Sequence, residues 1–433
     1  MLHCGITDLW DLRTAEEKQE MMQNTPKGLR LQIGVYGKRN AGKSSVLNIL
    51  ARQKVSIVSD TPGTTTDPVE KAMEMLPLGP VLFIDTAGLD DIGTLGELRT
   101  ERSRKMIERT DLALIVSSGS WDSLEEGLLA DFSQRKIPVI VVFGKSDLVS
   151  PDPALVRKLD ELHISHVSVS VPRNEGFHEL RQAIIRNAPE DFISSRGMLE
   201  GLVKPGKLCV LVTPIDLEAP KGRLILPQVQ AIRDILDHDS FCIVVKENML
   251  TQALANLKED PQLVVTDSQV FASVAKQTPE QIPLTSFSIL MARMKGDLET
   301  CAAGAAAIGG LKTGSRILIA EACSHHPVGE DIGTVKIPNW IRKKTGGDII
   351  VDHVQGHDFP KDLSEYELVI HCGACTFNRR ELLSRIEICR AAGIPFTNYG
   401  IAIAYSTGIL ERALKPFPGI YNAYKDAERS REK

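Results

Sequence analysis

Short runs of apolar residues alternate with longer amphipathic segments from Leu29 towards the end of the chain. The apolar runs are predicted to be strands at 31–36, 81–84, 112–116, 138–143, 208–213, 242–246, 263–266, 316–320, 348–354, 367–371 and 394–397. Helices are predicted at 43–52, 228–236, 249–258, 301–308 and 378–392. Buried strands that alternate with helices are typical of a mostly parallel sheet covered on both faces. The pattern therefore predicts an α/β fold.

Breaks in this pattern predict three domains between a leader and a tail. Residues 1–27 are polar and form an N-terminal leader, and residues 425–433 form a charged, frayed tail. The first domain, 28–192, is predicted to have a doubly wound, mostly parallel sheet, and two smaller α/β domains follow at 200–282 and 283–424. The middle domain has no glycine-rich loop and no cluster of titratable residues. We therefore expect an oligomerisation or docking role for it, and we assign it as the dimerisation domain of a homodimer.

The composition argues against several classes of protein. The chain has 433 residues, a formal net charge of −5 and a pI near 6.1. This slightly acidic balance argues against nucleic-acid binding through a basic surface. No apolar run reaches the ~18 residues of a membrane span, and the N-terminus lacks the pattern of a secretory signal. We therefore expect no nucleic-acid partner, no membrane association and a cytoplasmic location.

The segment Gly37-Lys-Arg-Asn-Ala-Gly42-Lys43-Ser44 follows an apolar strand and opens a helix. In that context a glycine-rich loop binds nucleotide phosphates through its backbone N–H groups. Lys43 is expected to reach the outer phosphates, and the Ser44 hydroxyl is expected to bind Mg²⁺. The predicted nucleotide-binding residues of this loop are Gly37, Asn40, Ala41, Gly42, Lys43, Ser44 and Ser45.

Further parts of a nucleotide switch follow in the expected order. Asp85 ends an apolar strand in Asp85-Thr-Ala-Gly88, where the carboxylate would hold Mg²⁺ and the Gly88 N–H would contact the γ-phosphate. A turn-rich segment lies between the two motifs, and its Thr65 would coordinate Mg²⁺ in the triphosphate state. The predicted magnesium ligands are Ser44, Thr65 and Asp85, and the predicted catalytic set is Lys43, Thr65, Asp85 and Gly88.

Lys145-Ser-Asp147 follows the predicted strand at 138–143 and is the candidate base-binding motif. An aspartate there can accept hydrogen bonds from the N1–H and N2–H groups of guanine, which adenine lacks. Lys145 and Asp147 therefore predict that the nucleotide is GTP. A second motif that often contacts the base is present only in the weak form Ser168-Val-Ser170.

These motifs resemble the translation-factor-like GTPases, in particular the branch of tRNA modification and ribosome assembly with its GxxNxGKS and GTTxD patterns. In that branch the asparagine of GxxNxGKS holds a K⁺ ion, and Asn40 occupies this position. Leu89 stands where Ras-type enzymes carry the glutamine that orients water. The resemblance therefore implies slow hydrolysis of GTP to GDP and phosphate, stimulated by K⁺. Gly144 replaces the asparagine that ties the base loop to the phosphate loop, which predicts weaker nucleotide binding.

Three of the eight cysteines are distinguished by their spacing, because Cys323-Ser-His325 is followed by His371-Cys372-Gly-Ala-Cys375. Each segment follows a predicted strand, and the carboxyl ends of parallel strands meet at one edge of a sheet. The three thiolates with His325 or His371 would complete a tetrahedral zinc site. The same cysteines would also hold three corners of a [4Fe–4S] cluster and leave one iron with an exchangeable ligand. The spacing alone does not decide between zinc and iron–sulfur.

The order of a GTPase domain, a middle α/β domain and this cysteine pattern resembles the HydF family of [FeFe]-hydrogenase maturation GTPases over essentially the whole chain. The resemblance implies a [4Fe–4S] cluster on Cys323, Cys372 and Cys375, with His325 or His371 as a candidate fourth ligand. It also implies a scaffold, or chaperone, that receives a transient two-iron precursor made with the radical-SAM maturases and delivers it to apo-[FeFe]-hydrogenase. The alternative is a zinc-binding GTPase of tRNA modification or ribosome assembly.

Overall fold

The computed structural model describes residues 25–52, 69–86, 106–193, 197–215, 224–322 and 331–432. The chain divides into two compact units, Met1–Ser195 and Arg196–Lys433. Both units are built from parallel strands alternating with helices, so the predicted α/β fold is confirmed.

The first unit contains a six-stranded sheet with the order β2-β3-β1-β4-β5-β6. Its strands are β1 (Leu31–Tyr36), β2 (Val69–Met75), β3 (Gly79–Asp85), β4 (Leu112–Ser117), β5 (Val139–Phe143) and β6 (Ser165–Ser168). Among the described strand pairs of this sheet, β2 and β3 are antiparallel and the others are parallel. β1, β4 and β5 are buried along their whole length, because helices cover both faces of a sheet of this kind.

Helices lie on both faces of this sheet, as the doubly wound prediction requires. The helices are α1 (Lys43–Arg52), α2 (Ser123–Gln134), α3 (Pro153–Glu161), α4 (Phe177–Asn187) and α5 (Glu190–Ile193). Leu47 of α1 and Phe177 of α4 belong to one apolar cluster, whereas Phe132 of α2 and Leu159 of α3 belong to another. Two separate clusters around one sheet are what burial on both faces produces.

The two strands of this sheet that the apolar pattern did not predict, β2 and β6, lie at its two edges. β2 reads Val-Glu-Lys-Ala-Met-Glu-Met, and β6 reads Ser-His-Val-Ser. An edge strand has one neighbour and keeps polar side chains, so it lacks the continuous apolar run of a central strand.

The second unit contains two four-stranded sheets, with the orders β10-β9-β7-β8 and β12-β11-β13-β14. All neighbouring strands in both sheets are parallel. The strands are β7 (Leu208–Val212), β8 (Phe241–Val245), β9 (Leu263–Thr266), β10 (Leu284–Ser286), β11 (Arg316–Glu321), β12 (Ile350–Gln355), β13 (Leu368–His371) and β14 (Phe396–Asn398). Leu211 and Ile319 lie in the same continuous apolar cluster although they come from different sheets. The division of this unit into two domains stays a prediction.

Ten helices are described in the second unit. They are α6 (Leu226–Asp237), α7 (Leu250–Ala255), α8 (Phe271–Gln277), α9 (Phe287–Lys295), α10 (Leu298–Ala305), α11 (Ile337–Thr345), α12 (Arg379–Ala391), α13 (Tyr399–Ser406), α14 (Leu410–Leu414) and α15 (Pro418–Glu432). Ser286 caps α9 and Asn378 caps α12, since each side chain accepts a backbone N–H of the first turn. No helix within the described ranges is long and apolar enough to cross a membrane.

The C-terminal segment corrects one prediction, because helix α15 continues through residues 425–432 of the predicted frayed tail. Lys425 pairs with Glu411 at 3.0 Å and with Glu428 at 2.8 Å. Tyr424 is buried and lies edge-on against Tyr405 of α13. The charged side chains lie on a helix whose buried Tyr424 packs against the core of the unit, and composition alone does not indicate that contact.

Candidate functional site

The phosphate loop, which we define as residues 37–44, connects the carboxyl end of β1 to the start of α1. Gly37 has a φ of 138°, and a Cβ at this position would lie 2.2 Å from the carbonyl oxygen of Val116. Gly42 has a φ of 99°, in the region that side chains rarely adopt. The two glycines therefore allow the turn and its close approach to β4, as the motif requires.

Lys43 is buried within the loop that contains it. Its ammonium donates hydrogen bonds to the carbonyl oxygens of Gly37 at 2.9 Å and Lys38 at 2.8 Å. Both acceptors belong to the same loop, so the cation is held where the phosphates of a bound nucleotide would lie.

Ser44 and Asp85 come together at the carboxyl ends of β1 and β3. The Ser44 hydroxyl donates to Asp85 Oδ2 at 2.5 Å. Asp85 Oδ1 is buried and has no hydrogen-bond partner among the described residues. Burial raises the pKa of Asp85, although the Ser44 hydrogen bond and the charges of Lys43 and Lys71 act in the opposite direction. A hydroxyl and a carboxylate with an unused oxygen fit a Mg²⁺ ion, which prefers such oxygen ligands.

The candidate base-binding loop is held by a residue that the sequence indicated only weakly. Ser170 Oγ donates to Asp147 Oδ1 at 2.7 Å. Lys145 adopts a φ of 55° at the turn that follows β5. The hydroxyl of the weak Ser168-Val-Ser170 motif thus orients the carboxylate that would recognise guanine.

Gly144 has no side chain, so the candidate base-binding loop (the base loop) can lie directly against the phosphate loop. Its N–H donates to the carbonyl of Ser117 at 2.8 Å, and a Cβ at this position would lie 3.0 Å from the carbonyl oxygen of Ala41. Direct backbone contact therefore occupies the space in which the usual asparagine would connect the two loops.

Lys38 is a second connection that sequence reasoning missed. Its ammonium pairs with Asp122 at 2.7 Å and with Glu125 at 3.1 Å. These carboxylates form the capping box at the start of α2. The Asp-x-x-Glu spacing was the available signal, but only the packing of α2 beside the phosphate loop links it to Lys38.

The cysteine loop, which we define as residues 372–375, begins directly after β13. The backbone N–H groups of Ala322 and Ala374 donate to Cys372 Sγ at 3.1 and 3.4 Å. The Thr376 hydroxyl donates to the carbonyl of Ala322 at 3.2 Å. The end of β11 therefore lies against the cysteine loop, as expected for neighbouring parallel strands.

The four predicted site residues Thr65, Gly88, Cys323 and His325 lie outside the described residues. Cys372 and Cys375 are both half-buried, and neither forms a disulfide. Within the described ranges, no three side chains from His, Cys, Asp and Glu converge as a metal site. The ligand roles of all three cysteines stay predictions.

His371 is fully buried, and both of its ring nitrogens have partners. The Arg385 guanidinium donates to Nε2 at 3.0 Å, so the proton lies on Nδ1, which donates to the Cys372 carbonyl at 2.9 Å. Burial and the Arg385 charge lower the pKa of His371 to about 3. Coordination of a metal by His371 would require the Arg385 contact to open, and that role stays a prediction.

A buried lysine approaches the cysteine loop from its other side. Lys295, the last residue of α9, donates to the carbonyl oxygens of Phe377 at 2.9 Å, Cys375 at 3.1 Å and Ala374 at 3.3 Å. Burial lowers the pKa of Lys295 to about 8, while Cys375 and Cys372 act in the opposite direction. Sequence reasoning missed this residue, because a lysine at a helix end carries no motif.

Three family models match successive parts of the chain. The 50S ribosome-binding GTPase model matches residues 32–145, the Hydrogen maturase F dimerization domain matches 198–296, and the Hydrogen maturase F tetramerization domain matches 299–416. The last two are specific to one family and occupy most of the second unit. The chain belongs to the HydF family. Its predicted N-terminal GTPase domain is confirmed, and the family architecture supports oligomerisation.

Curated relatives match this HydF family member over less than half of its length. The tRNA modification GTPase MnmE of Heliobacterium modesticaldum is 33% identical over 195 residues, which cover 42% of this chain and 39% of that protein. GTPase Der of Wolinella succinogenes is 39% identical over 151 residues, which cover 33% of this chain and 31% of that protein. The chain therefore spans less than half the length of these relatives.

Two solved structures are similar to part of this HydF family member, each at low identity and a low TM-score. Aquifex aeolicus Era bound to GDP·AlF4⁻ is 22% identical with a TM-score of 0.31, and the match covers 50% of this chain and 93% of that one. The G domain of the Thermotoga maritima FeoB iron transporter is 22% identical with a TM-score of 0.28, and the match covers 37% of this chain and 99% of that one.

Proposed function

We propose that this chain is a cytoplasmic GTPase scaffold that binds a [4Fe–4S] cluster and carries the two-iron precursor of the [FeFe]-hydrogenase active site. Its proposed partners are the radical-SAM maturases that build the precursor and the apo-hydrogenase that receives it. The observation that carries the proposal is the presence of both HydF-specific domains on the same chain as the phosphate loop.

The cysteine loop fits the chemistry of a cluster site. Thiolates are the ligands of iron–sulfur clusters, and backbone N–H groups that donate to the sulfur stabilise the thiolate and tune the cluster. Cys372 has two such donors, one from Ala322 and one from Ala374. In sequence Ala322 precedes Cys323, which supports the three-cysteine set of Cys323, Cys372 and Cys375. The cluster would supply an iron with an exchangeable position for the precursor, with His325 or His371 as its resting ligand.

The cavity beneath the cysteine loop is too small to hold such a group. It has a volume of about 10 Å³ and is lined mainly by apolar and small residues, among them Met291, Ala292 and Phe396. That volume is at the lower limit for one water molecule.

Metal content tests this proposal directly. After anaerobic reconstitution we expect iron, sulfide and a cluster EPR signal, and we expect Cys323→Ala, Cys372→Ala and Cys375→Ala to lose them. Cys242→Ala is the matched control, because Cys242 lies on β8 in the other sheet. Colourless protein that contains zinc, with a Cys372→Ala variant that still activates hydrogenase, would contradict the scaffold and favour the zinc-binding alternative.

The nucleotide site supports a GTP switch that controls the docking of partners and does not supply chemistry to the cluster. Lys43, Thr65, Asp85 and Gly88 would act on the phosphates, with Mg²⁺ on Ser44, Thr65 and Asp85. Asn40, at a φ of 59° in the phosphate loop, would hold K⁺. We expect slow hydrolysis that is faster in KCl than in NaCl at equal ionic strength, and an Asn40→Ala variant that loses the difference. Equal rates of the wild type in both salts would contradict the potassium role.

The edge strand β8 supports dimerisation through the middle sheet. β8 pairs only with β7 within the described residues, and Phe241, Ile243 and Val244 are 52%, 36% and 42% exposed. An open apolar edge is a template for pairing with another strand, and such edges are normally covered. We therefore propose that two copies pair along β8.

A lysine introduced on the β8 edge tests the proposed dimer. We expect Val244→Lys to halve the mass measured by light scattering after size exclusion, because a lysine on an edge strand opposes pairing with another strand. Leu162→Lys, at an exposed apolar position of the first unit, should leave the mass unchanged. An unchanged mass for Val244→Lys would place the interface elsewhere.

A further inference from the structure

Lys295 is a buried cation that donates to three backbone carbonyls and to no other acceptor among the described residues. The side chain is at the end of α9, the residue is 3% exposed, and Nζ donates to the carbonyls of Ala374, Cys375 and Phe377 at 3.3, 3.1 and 2.9 Å. Within the part of the chain that the structure describes, no carboxylate lies within salt-bridge distance of it. The ammonium is therefore bound to the cysteine loop and to the turn that follows it.

A buried ammonium is unfavourable unless a negative charge compensates it. Carbonyl oxygens carry only partial negative charge, so three of them compensate a full charge incompletely. The thiols of Cys372 and Cys375 are near enough to Lys295 to act on its charge, and they lose their protons when they bind metal. The two N–H groups that point at Cys372 Sγ act in the same sense, because they also favour negative charge on the sulfur.

The phosphate loop of the same chain contains the same arrangement. Lys43 is buried and donates to the carbonyls of Gly37 and Lys38, and its established kind of partner is the phosphate anion. In the phosphate loop, a buried ammonium that is held by loop carbonyls binds an anion. The cysteine loop holds Lys295 in the same way.

We propose that Lys295 is the counter-cation and positioning residue of the cysteine loop, and that it favours both retention and reduction of an anionic iron–sulfur group held there. Its three hydrogen bonds fix the turn at 374–377, and its charge offsets the negative charge of the thiolates. The inference rests on the proposed cluster function. Because reduction adds negative charge beside the ammonium, the cation raises the reduction potential of the group.

Three substitutions separate the charge of Lys295 from its hydrogen bonds. Lys295→Gln keeps hydrogen-bond donors without charge, Lys295→Met removes both, and Lys295→Arg keeps the charge. Lys344→Met is the matched control, because Lys344 is in the same unit with its ammonium 4.1 Å from the centre of the Tyr405 ring. Each protein is reconstituted anaerobically. Iron loss to a chelator, the reduction potential from an EPR-monitored titration, and thermal unfolding before and after reconstitution are then measured.

We expect the Gln and Met variants to lose iron several-fold faster than the wild type and to have a more negative reduction potential. Lys295→Arg should restore both values towards the wild type, and Lys344→Met should match the wild type. A Gln variant with the wild-type potential and iron retention would overturn the proposal, because the lysine would then act through hydrogen bonds alone. Failure of both neutral variants to fold before reconstitution would also overturn it, since the cation would then serve the fold and not the cluster.

The controls distinguish this inference from the proposed function beneath it. Wild-type protein that binds no iron and sulfide would refute the cluster itself. Wild-type protein that loads a cluster, beside neutral Lys295 variants that load and titrate identically, would refute only the role of Lys295.

Discussion

The phosphate loop and the cysteine loop are built alike in one respect and differently in another. Each follows the carboxyl end of a buried parallel strand, and each contains a residue in the left-handed region, Asn40 at 59° and Ala374 at 51°. Each also holds a buried lysine ammonium on backbone carbonyls. In both loops the chain has arranged positive charge where an anion would bind.

The difference lies in where the cation comes from. Lys43 belongs to the phosphate loop and bonds carbonyls five and six residues away, whereas Lys295 is about 80 residues from the carbonyls that it bonds. The phosphate loop is therefore complete as a local motif. The cysteine loop is completed by α9 and α12, which pack against it from distant parts of the sequence.

The largest expected effect comes from removing the local cation. Lys43→Met should slow GTP hydrolysis by at least ~100-fold, because a charge that stabilises the transition state is lost. Iron and sulfide content should stay at the wild-type level, and Lys158→Met on α3 should change neither quantity. Hydrolysis is measured as phosphate release under saturating nucleotide. A loss of iron together with hydrolysis would contradict the separation of the two loops.

Acid sensitivity should arise at His371, the last residue of β13, directly before the cysteine loop. Folded His371 has a pKa of about 3, whereas an unfolded histidine titrates near pH ~6.5, so the unfolded state binds more protons between these values. The free energy of unfolding should therefore fall as the pH drops below ~6.5, by about 2 kcal/mol at pH ~5.

Urea unfolding of metal-free protein between pH ~5 and ~7.5 measures this effect, which includes every titrating group of the chain. His371→Gln removes the contribution of one group, so the variant should depend less steeply on pH than the wild type. The variant His178→Gln changes an exposed histidine on α4 of the first unit and should keep the wild-type slope. Equal slopes for the wild type and His371→Gln would show that the buried histidine does not control this dependence.

A smaller effect is expected where the base loop meets the phosphate loop. Gly144→Ala places a methyl group 3.0 Å from the Ala41 carbonyl, which has to move to accommodate it. Overpacking of this kind costs roughly 1 kcal/mol, so GDP affinity should fall several-fold. Fluorescent-nucleotide titration measures the change. Gly144→Asn binding more tightly than Gly144→Ala would show that the usual asparagine can still connect the loops.

The smallest expected effect concerns backbone strain in the cysteine loop. Ala374→Gly removes a Cβ at a φ of 51°, and relief of such strain stabilises a fold by up to about 1 kcal/mol. The temperature of unfolding should rise slightly or stay constant, with iron content unchanged. A marked fall would mean that burial of the Ala374 methyl outweighs the strain.

Much of the fold could be predicted because buried strands and capped helices leave local patterns. β1, α1 and β9 have the predicted bounds. The edge strands β2 and β6 were not predicted, since polar side chains on an edge strand produce no apolar run. Helix α15 was not predicted either, because the contact of Tyr424 with Tyr405 depends on how distant helices pack.

The sequence by itself indicated the phosphate loop, the guanine motif and the candidate cysteine ligands, because each is a short local pattern that follows a strand. The tertiary structure decided what surrounds them. It oriented Asp147 with Ser170, tied Lys38 to α2, and occupied both nitrogens of His371. It also brought Lys295 to the cysteine loop. Contacts across tens of residues depend on how strands and helices pack. That packing produces no recognisable spacing of residues in the sequence.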